Sequence, residues 1–138
     1  MKIGFIGLGI MGESMCENIV KKHNDTVYCN DHKQSQIDKL ASFGAIGCAT
    51  NIEVAEKADV IITMIPTSKH VKEAYTEMLP HLKEGKICID MSTIEPDASV
   101  EVANMLKAQG IRFADCPVVR SKADAIAGTL GVLAGCDK

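Results

Sequence analysis

The hydrophobic positions of this 138-residue chain follow two alternating patterns, one typical of β-strands and one of α-helices. Short runs rich in Val and Ile predict strands that are buried on both faces of a parallel sheet. Between these runs, apolar residues recur in steps of three and four, which places them on one face of a helix. The strands are predicted at 2–6, 26–30, 59–65, 86–90, 112–115 and 129–134, and the helices at 11–22, 35–43, 69–79 and 96–109.

The order of these elements predicts the class of fold. Pro80 ends the third predicted helix, and Gly110 ends the fourth as its C-cap. Strands that alternate with helices of this length indicate an α/β fold, in which a mainly parallel sheet carries helices on both faces. The length, against about 150 residues for an average domain, predicts one domain over 1–138.

The composition argues against several classes of function. Apolar residues make up 46% of the chain and the net charge is −3, without a basic stripe that would attract nucleic acid. The longest strongly apolar stretch, 60–65, is too short to span a bilayer, and glycines interrupt the first apolar run where a signal peptide would continue. We therefore expect a cytoplasmic protein that binds neither nucleic acid nor membranes.

The cysteines also suggest a reducing compartment. The chain has 6 cysteines, and no two of them form a C-x-x-C pair. Most lie within apolar strand or helix patterns, so we expect small buried hydrophobic side chains rather than disulfides. No His and Cys residues have the spacing of a zinc site, and no metal is expected.

A glycine-rich turn is the first candidate site. Gly7, Gly9 and Gly12 form G-x-G-x-x-G between a predicted strand and a predicted helix, the context that gives this pattern a mechanism. Gly7 permits the tight turn, Gly9 lets the backbone approach a pyrophosphate, and Gly12 lets helix and strand pack closely. The helix N-terminus then presents unpaired N–H groups to the phosphates. FAD-binding and methyl-donor-binding folds also use such turns, so the turn by itself leaves the cofactor open.

The end of the second predicted strand bears on the choice of cofactor. In dinucleotide-binding folds an acidic residue about 20 positions after the glycines binds the ribose hydroxyls. Asn30 and Asp31 occupy this place. Asp31 would repel a 2′-phosphate, which favours NAD, whereas His32 and Lys33 offer positive charge to NADP.

Four segments, taken together, resemble a known family. Residues 7–18 read G-L-G-I-M-G-E-S-M-C-E-N, 62–66 read I-T-M-I-P, 89–96 read I-D-M-S-T-I-E-P, and 115–130 read D-C-P-V-V-R-S-K-A-D-A-I-A-G-T-L. In this order they resemble the β-hydroxyacid dehydrogenases, which include 3-hydroxyisobutyrate dehydrogenase and tartronate semialdehyde reductase and are related to 6-phosphogluconate dehydrogenase. The D-x-P-V-x-R run is similar to that of the sulfolactaldehyde reductase branch.

The resemblance implies a Rossmann-type, doubly wound sheet and a set of cofactor-binding residues. The glycine turn would hold the pyrophosphate, Asn30 and Asp31 the adenosine ribose, and Thr93 the nicotinamide half. The implied cofactor-binding set is Gly7, Leu8, Gly9, Ile10, Met11, Gly12, Asn30, Asp31, Met64, Ile65, Pro66 and Thr93. Plain core packing of Met64 and Ile65, and a capping box between Ser92 and Glu95, are the structural alternatives.

The substrate loop departs from the family pattern. Most members read D-x-P-V-S-G-G, whereas this chain has Val119, Arg120 and Ser121 at the last three positions. Arg120 adds a planar, permanently charged donor that suits a carboxylate, sulfonate or phosphate. We expect Ser92, Arg120 and Ser121 to bind an acid that carries an anionic group. A surface pair between Arg120 and Asp124 is the alternative.

The resemblance also implies what this chain lacks. The family's catalytic lysine lies beyond the point that corresponds to Lys138, so no catalytic residue is assigned here. The sheet is expected to be truncated at its C-terminal end, without the helical catalytic and dimerisation domain that follows in the family. Such a sheet exposes an unpaired edge, from which we expect a homo-oligomer.

Two functions follow from these expectations. In the first, the parent protein is an NAD(P)-dependent oxidoreductase that interconverts a small anionic 3-hydroxy acid and its semialdehyde. This chain would then be its cofactor-binding part and would be inactive alone. In the second, the chain is a dinucleotide-binding module without catalysis.

Overall fold

The structure, a computed structural model, describes residues 1–136, so Asp137 and Lys138 of the predicted 1–138 domain lie outside the described residues. The strands are β1 (Lys2–Ile6), β2 (Thr26–Asn30), β3 (Ile46–Gly47), β4 (Val60–Thr63), β5 (Ile87–Asp90), β6 (Arg112–Asp115), β7 (Val118–Val119), β8 (Gly131–Val132) and β9 (Gly135–Cys136). The helices are α1 (Gly12–Lys22), α2 (Gln34–Ser42), α3 (Asn51–Lys57), α4 (Ser68–Met78), a short 3₁₀ helix (Leu79–His81), α5 (Pro96–Lys107) and α6 (Lys122–Ala127).

The main sheet has the order β3-β2-β1-β4-β5-β6-β9. All of its pairs are parallel except β6 with β9, and β7 and β8 form a separate antiparallel hairpin. The chain first runs outward from β1 to β3, then returns to β4 beside β1 and runs outward again. The strand order therefore reverses between β1 and β4, the place where doubly wound folds bind ligands.

Two buried clusters lie on opposite faces of the sheet. Phe5, Met15 and Leu40 belong to the cluster under α1 and α2, and Ile61 and Tyr75 belong to the cluster under α3, α4 and α5. Consecutive strand residues point to opposite faces, so a strand buried on both sides is apolar at most positions. The predicted α/β class, with a mainly parallel sheet and helices on both faces, is confirmed.

Two predicted strands were too long. The 59–65 run forms a strand only over Val60–Thr63, because its partner β1 ends at Ile6, opposite Thr63. The predicted strand 129–134 is instead the short β8, while Thr129 closes the end of α6 through its N–H bond to the carbonyl of Asp124. The sheet edge beyond β6 is covered only in part, since the two-residue β9 pairs with Ala114 and Asp115 alone.

Sequence reasoning missed the short elements α3, α6, β3, β7 and β9 and the 3₁₀ helix. Helix α3 begins at a cap in which Thr50 Oγ1 accepts from Glu53 N (3.1 Å). Helix α6 begins with a full capping box between Ser121 and Asp124, and Gly128 ends it in the left-handed conformation. Strand β3 is only two residues long.

The capping box considered between Ser92 and Glu95 does not form. Helix α5 begins at Pro96 with Glu95 as its N-cap, and no side chain caps it. The Ser92 hydroxyl instead donates to Asp90 and accepts from Ile65 N.

All six cysteines are free thiols. The prediction of small buried side chains is confirmed for five of them and wrong for Cys136, which is exposed on the edge strand β9. Burial raises the pKa of the Cys29 thiol to about 11 and that of Cys88 to about 12. Within residues 1–136, no helix has both the length and the apolar character needed to cross a membrane.

Candidate active site: a dinucleotide cleft

A cleft of about 820 Å³ opens where the strand order reverses, at the carboxyl ends of β1, β2 and β4. Ten of the twelve predicted cofactor-binding residues line it: Gly7, Gly9, Ile10, Met11, Gly12, Asp31, Met64, Ile65, Pro66 and Thr93. Leu8 and Asn30 do not, because the Leu8 side chain is fully buried and Asn30 lies 8% exposed at the end of β2.

Each glycine of the turn meets a different steric demand. Gly7 has φ +96°, and a β-carbon there would lie 2.1 Å from the carbonyl oxygen of Met64. A β-carbon on Gly12 would lie 1.9 Å from the carbonyl oxygen of Gly7, so the turn and helix could not pack as they do. Gly9 would meet nothing within 4 Å, which leaves its α-carbon facing open space. A ligand can therefore approach the backbone at Gly9.

Helix α1 starts at this turn. Its N-cap, Met11, makes no side-chain hydrogen bond, so no side chain occupies the first N–H groups of the helix, of which Glu13 N donates to the Gly9 carbonyl (3.0 Å). The aligned peptide dipoles give this end of the helix a partial positive charge. Glu13 in the first turn pairs with Lys39 and Gln36 on α2, and these hydrogen bonds, led by that from Lys39, lower the pKa of Glu13.

Asp31 ties the loop after β2 to the glycine turn. Its Oδ2 accepts from Leu8 N (2.8 Å), and its Oδ1 accepts from Lys33 N (2.8 Å). His32 Nδ1 lies 3.3 Å from the same Oδ1, while the His32 side chain is 84% exposed. The carboxylate is thus fixed beside the cleft by two backbone N–H groups.

Asn30 supports the turn from behind the cleft. Its carbonyl accepts from Gly7 N (3.1 Å), and its Nδ2 donates to Asn51 Oδ1 (2.7 Å). Its Oδ1 is buried and has no hydrogen-bond partner.

Sequence reasoning missed four polar residues of the cleft wall. Asn51 begins α3, and His70, Glu73 and Glu77 lie on one face of α4. Asn51 Nδ2 reaches Glu77 Oε2 at 3.5 Å. The signal for three of them was present in the sequence: His70, Glu73 and Glu77 are spaced by three and four positions, which places them on one face of the predicted helix, next to its apolar face. Asn51 gave no such signal, because α3 itself was not predicted.

The segment 64–66 forms the wall opposite the glycine turn and has no regular secondary structure. Met64 N donates to the carbonyl of Ile6 (2.9 Å), which continues the β1–β4 pairing. Ile65 N donates instead to a side chain, Ser92 Oγ (2.7 Å). Ser92 is fully buried and does not line the cleft, unlike its neighbour Thr93.

A buried carboxyl group lies behind Ser92. Asp90 Oδ1 accepts from Ser92 Oγ (2.7 Å) and from Thr63 Oγ1 (2.8 Å), and Thr63 shares a further hydrogen bond with the Tyr75 hydroxyl (3.0 Å). Burial raises the pKa of Asp90, and the nearby carboxylate of Asp115 adds to this effect. Burial also raises the pKa of Asp115 itself.

The loop 118–121 lies apart from the cleft lining. Arg120 is exposed and has φ +92°, and its Nη1 donates to the carbonyl of Thr129 (3.3 Å). Asp124 accepts from the hydroxyl of Ser121 (2.8 Å), and this bond is the main cause of its lowered pKa. The hydrogen bonds of Asp124 thus run to Ser121 and Thr129 rather than to Arg120.

Comparison with known proteins adds evidence that the geometry alone does not carry. The family model of the NAD binding domain of 6-phosphogluconate dehydrogenase matches residues 2–138. A probable mitochondrial 3-hydroxyisobutyrate dehydrogenase of Dictyostelium discoideum is 39% identical over 96% of this chain and 42% of its own length. The 2-(hydroxymethyl)glutarate dehydrogenase of Eubacterium barkeri is 34% identical over 98% of this chain and 46% of its own length.

A solved structure agrees with these relatives. The 3-hydroxyisobutyrate dehydrogenase of Mycobacterium tuberculosis superposes with a TM-score of 0.95 and 32% identity, over 99% of this chain and 47% of that one. The chain thus spans less than half the length of these relatives. Together with the glycine turn at the reversal of the strand order, these matches show that the chain belongs to the family of 6-phosphogluconate dehydrogenase NAD-binding domains.

Proposed function

We propose that the cleft binds a nicotinamide dinucleotide, with its pyrophosphate over Gly9 and at the N-terminus of α1. The observation that carries this proposal is the open space at Gly9 beside an uncapped helix start. Backbone N–H groups and the helix dipole favour an anion at such a place. The backbone of Ile10 and Met11 would contact the same phosphates.

The two halves of the dinucleotide would extend to opposite sides of the turn. Asp31, directly after β2, would hold the adenosine ribose, and Asn30 would support it from behind the cleft through its bonds to Gly7 N and Asn51. Leu8 would act only indirectly, since its side chain is in the core and its backbone N–H is bonded to Asp31. The segment 64–66 and Thr93 would lie against the nicotinamide half.

NAD is the preferred cofactor in this proposal. A 2′-phosphate would lie near the Asp31 carboxylate, and Glu73 and Glu77 add negative charge to the same cleft. His32 and Lys33 offer some compensation on the exposed side of the loop. Psf3, which is 27% identical to this chain, was solved in complex with NADP+. The affinities of this chain for NADH and for NADPH should therefore be measured side by side.

Fluorescence titration with NADH and NADPH tests this proposal. The chain has no Trp, so the reduced nicotinamide can be observed against a low protein background. We expect saturable NADH binding that is at least about tenfold tighter than NADPH binding. The Asp31→Asn variant should reduce the difference between the NADH and NADPH affinities. It removes the negative charge that would repel a 2′-phosphate and retains an oxygen that can accept from Leu8 N. Absence of NADH binding by the folded chain would refute the proposal.

For the longer protein, we propose the interconversion of a small 3-hydroxy acid and its semialdehyde. In the oxidative direction, the C–H bond breaks and its hydride goes to C4 of the nicotinamide, while the hydroxyl proton goes to a base and a C=O bond forms. That base, the family lysine, would follow Lys138 in a helical domain. Residues 1–138 alone would bind the cofactor without turnover, because hydride transfer needs the substrate clamped as well.

Arg120 would select the substrate by its anionic group. Its guanidinium is exposed, and its backbone φ of +92° is costly for a residue with a β-carbon. Ser121 lies beside it, whereas the Ser92 hydroxyl is buried against Ile65 N and would act only through the cleft wall. Recovery of dehydrogenase activity on mixing this chain with a separate C-terminal fragment would support catalysis. Cofactor binding with no activity in any such mixture would favour the non-catalytic module.

We infer a cytoplasmic location and no nucleic-acid or membrane partner from the evenly distributed charge and the buried thiols. We infer a homo-oligomer from exposed apolar side chains near β7, β8 and α6, namely Val119, Ile126, Val132 and Leu133. A single monomeric species in sedimentation would overturn the last inference.

A further inference from the structure

We infer that Asp90 is a positioning residue for the nicotinamide end of the cleft: through Ser92 it fixes the backbone N–H of Ile65 and with it the segment 64–66. The inference rests on the proposed binding of a nicotinamide dinucleotide. It assigns a function to a buried carboxyl group that touches neither the cleft nor a cation among the described residues.

The geometry forms a short chain from the core to the cleft wall. Ile65 N donates to Ser92 Oγ (2.7 Å), and Ser92 Oγ donates its own hydrogen to Asp90 Oδ1 (2.7 Å). Ser92 N is bonded to the same Oδ1 at 3.2 Å. Ser92 is therefore held at both its backbone and its hydroxyl, and because the hydroxyl hydrogen is given to Asp90, the oxygen acts as an acceptor toward Ile65 N.

The same oxygen of Asp90 is fixed from the other side. Thr63 Oγ1 donates to it (2.8 Å), and the fully buried Tyr75 hydroxyl is hydrogen-bonded to Thr63 (3.0 Å). The carboxyl group thus joins the ends of β4 and β5 and the inner face of α4. The three hydrogen bonds at Oδ1 leave the Asp90 side chain a single orientation.

The segment 64–66 needs such support after Met64, whose N–H still follows the sheet to the Ile6 carbonyl (2.9 Å). Strand β4 ends at Thr63 and helix α4 begins at Ser68, so neither the sheet nor the helix supplies a partner for Ile65 N. Pro66 has no N–H. The Ser92 hydroxyl is therefore the contact that sets the position of the backbone between Met64 and Pro66.

A purely structural role does not account for the choice of side chain. Burying a carboxyl group is costly, and Oδ2 of Asp90 is buried without a partner. Burial raises the pKa of Asp90, while its bonds from Ser92 and Thr63 act in the opposite direction. Hydrogen bonds to an ionised acceptor are shorter and stronger than neutral ones, which suits a group that must hold one serine rotamer.

The test separates the nicotinamide end from the adenosine end. We would measure the affinity of the 138-residue chain for NADH and for ADP-ribose, which lacks the nicotinamide, in Ser92→Ala and Asp90→Asn. We expect both variants to bind NADH about tenfold more weakly and to bind ADP-ribose as the unchanged chain does. The matched control is Ser99→Ala, a buried serine on α5 whose hydroxyl bonds to Asp115, and it should alter neither affinity.

Each outcome distinguishes the inference from the proposed function. If the unchanged chain binds neither ligand, the proposed function fails, and this inference fails with it. If it binds both, then undiminished NADH affinity in the two variants, or an equal loss for both ligands, overturns the positioning role alone. Amide hydrogen exchange at Ile65 gives a second readout. It should be faster in Asp90→Asn, and unchanged exchange would overturn the inference even if Ser92→Ala does not fold.

Discussion

A β-carbon on Gly7 would lie 2.1 Å from the carbonyl oxygen of Met64, whereas one on Gly9 would meet nothing within 4 Å. The two glycines are two positions apart, yet only Gly7 is packed closely against the neighbouring backbone. Gly7 is needed for the close approach of β1 and the segment after β4. Gly9 makes no such close contact in the folded chain, so its small size matters only to a ligand that approaches its backbone from solvent.

The first prediction concerns stability. Gly7→Ala should lower the free energy of unfolding by about 3 kcal/mol or more, because it adds both a clash and a strained positive φ. Gly9→Ala should stay within about 0.5 kcal/mol of the unchanged chain, since its added methyl group meets only solvent. Urea denaturation of the two variants measures both values, and equal losses would contradict this explanation of the turn.

The second prediction concerns binding by the same pair. Gly9→Ala should bind NADH at least about tenfold more weakly although it folds normally, because its methyl group lies where the pyrophosphate must approach. Fluorescence titration at the temperature of the stability measurement provides the check. Full NADH affinity in folded Gly9→Ala would place the phosphates elsewhere.

The third prediction uses the backbone of Arg120. Arg120→Gly should be more stable than Arg120→Ala by about 1 kcal/mol, because only glycine adopts φ +92° without strain. Both variants lose the guanidinium and its bond to the Thr129 carbonyl, so their comparison isolates the backbone effect. Equal melting temperatures would mean that the loop relaxes when the side chain is shortened.

The fourth prediction concerns pH. The pKa of Asp90 is raised in the folded chain, so its ionisation costs stability at neutral pH, and this cost disappears as pH falls through the raised pKa. The unfolding free energy of the unchanged chain relative to Asp90→Asn should therefore rise between pH 7 and pH values near 4. Asp115, whose pKa is also raised, contributes with the same sign in both proteins.

Glu13 serves as a control, because its ionisation changes the unfolding free energy with pH in the opposite direction. Its pKa is lowered, chiefly by the hydrogen bond from Lys39, so it contributes stability at neutral pH that is lost as pH falls through the lowered pKa. The unchanged chain should lose stability relative to Glu13→Gln on acidification. A loss of stability on acidification in the Asp90 comparison as well would show that folding lowers the pKa of Asp90 rather than raising it.

The fifth prediction concerns the thiols. Cys136 is exposed and should react with a disulfide reagent within seconds to minutes, whereas the other five cysteines are buried and should react only when the chain opens. Burial raises the pKa of Cys29 and Cys88 to about 11 and about 12, which slows their reaction further. A Cys136→Ser variant without a fast phase would confirm the assignment. Several fast thiols in the native chain would contradict the packing described here.

Much of the fold was readable from local pattern alone. The apolar runs around Phe5 and Ile61 are buried on both faces, and this property is written into consecutive residues of one strand. The glycine turn was equally local, because its three glycines fall within six positions. Short elements such as α3 were missed since seven residues give too little helical periodicity, although Thr50 and Glu53 marked its start.

The sequence by itself determined the class of fold, the place of the phosphate-binding turn and most of the cleft lining, because strand periodicity and glycine spacing act over neighbouring residues. Only the tertiary structure decided that Asp31 fastens the turn, that Asn51 and Glu77 reach the cleft, and that Ser92 faces Ile65 rather than a substrate. These contacts join residues more than twenty positions apart. Their geometry follows from the pairing of β1 with β2 and β4, from that of β4 with β5 and from the packing of α3 beside α4, which no local pattern encodes.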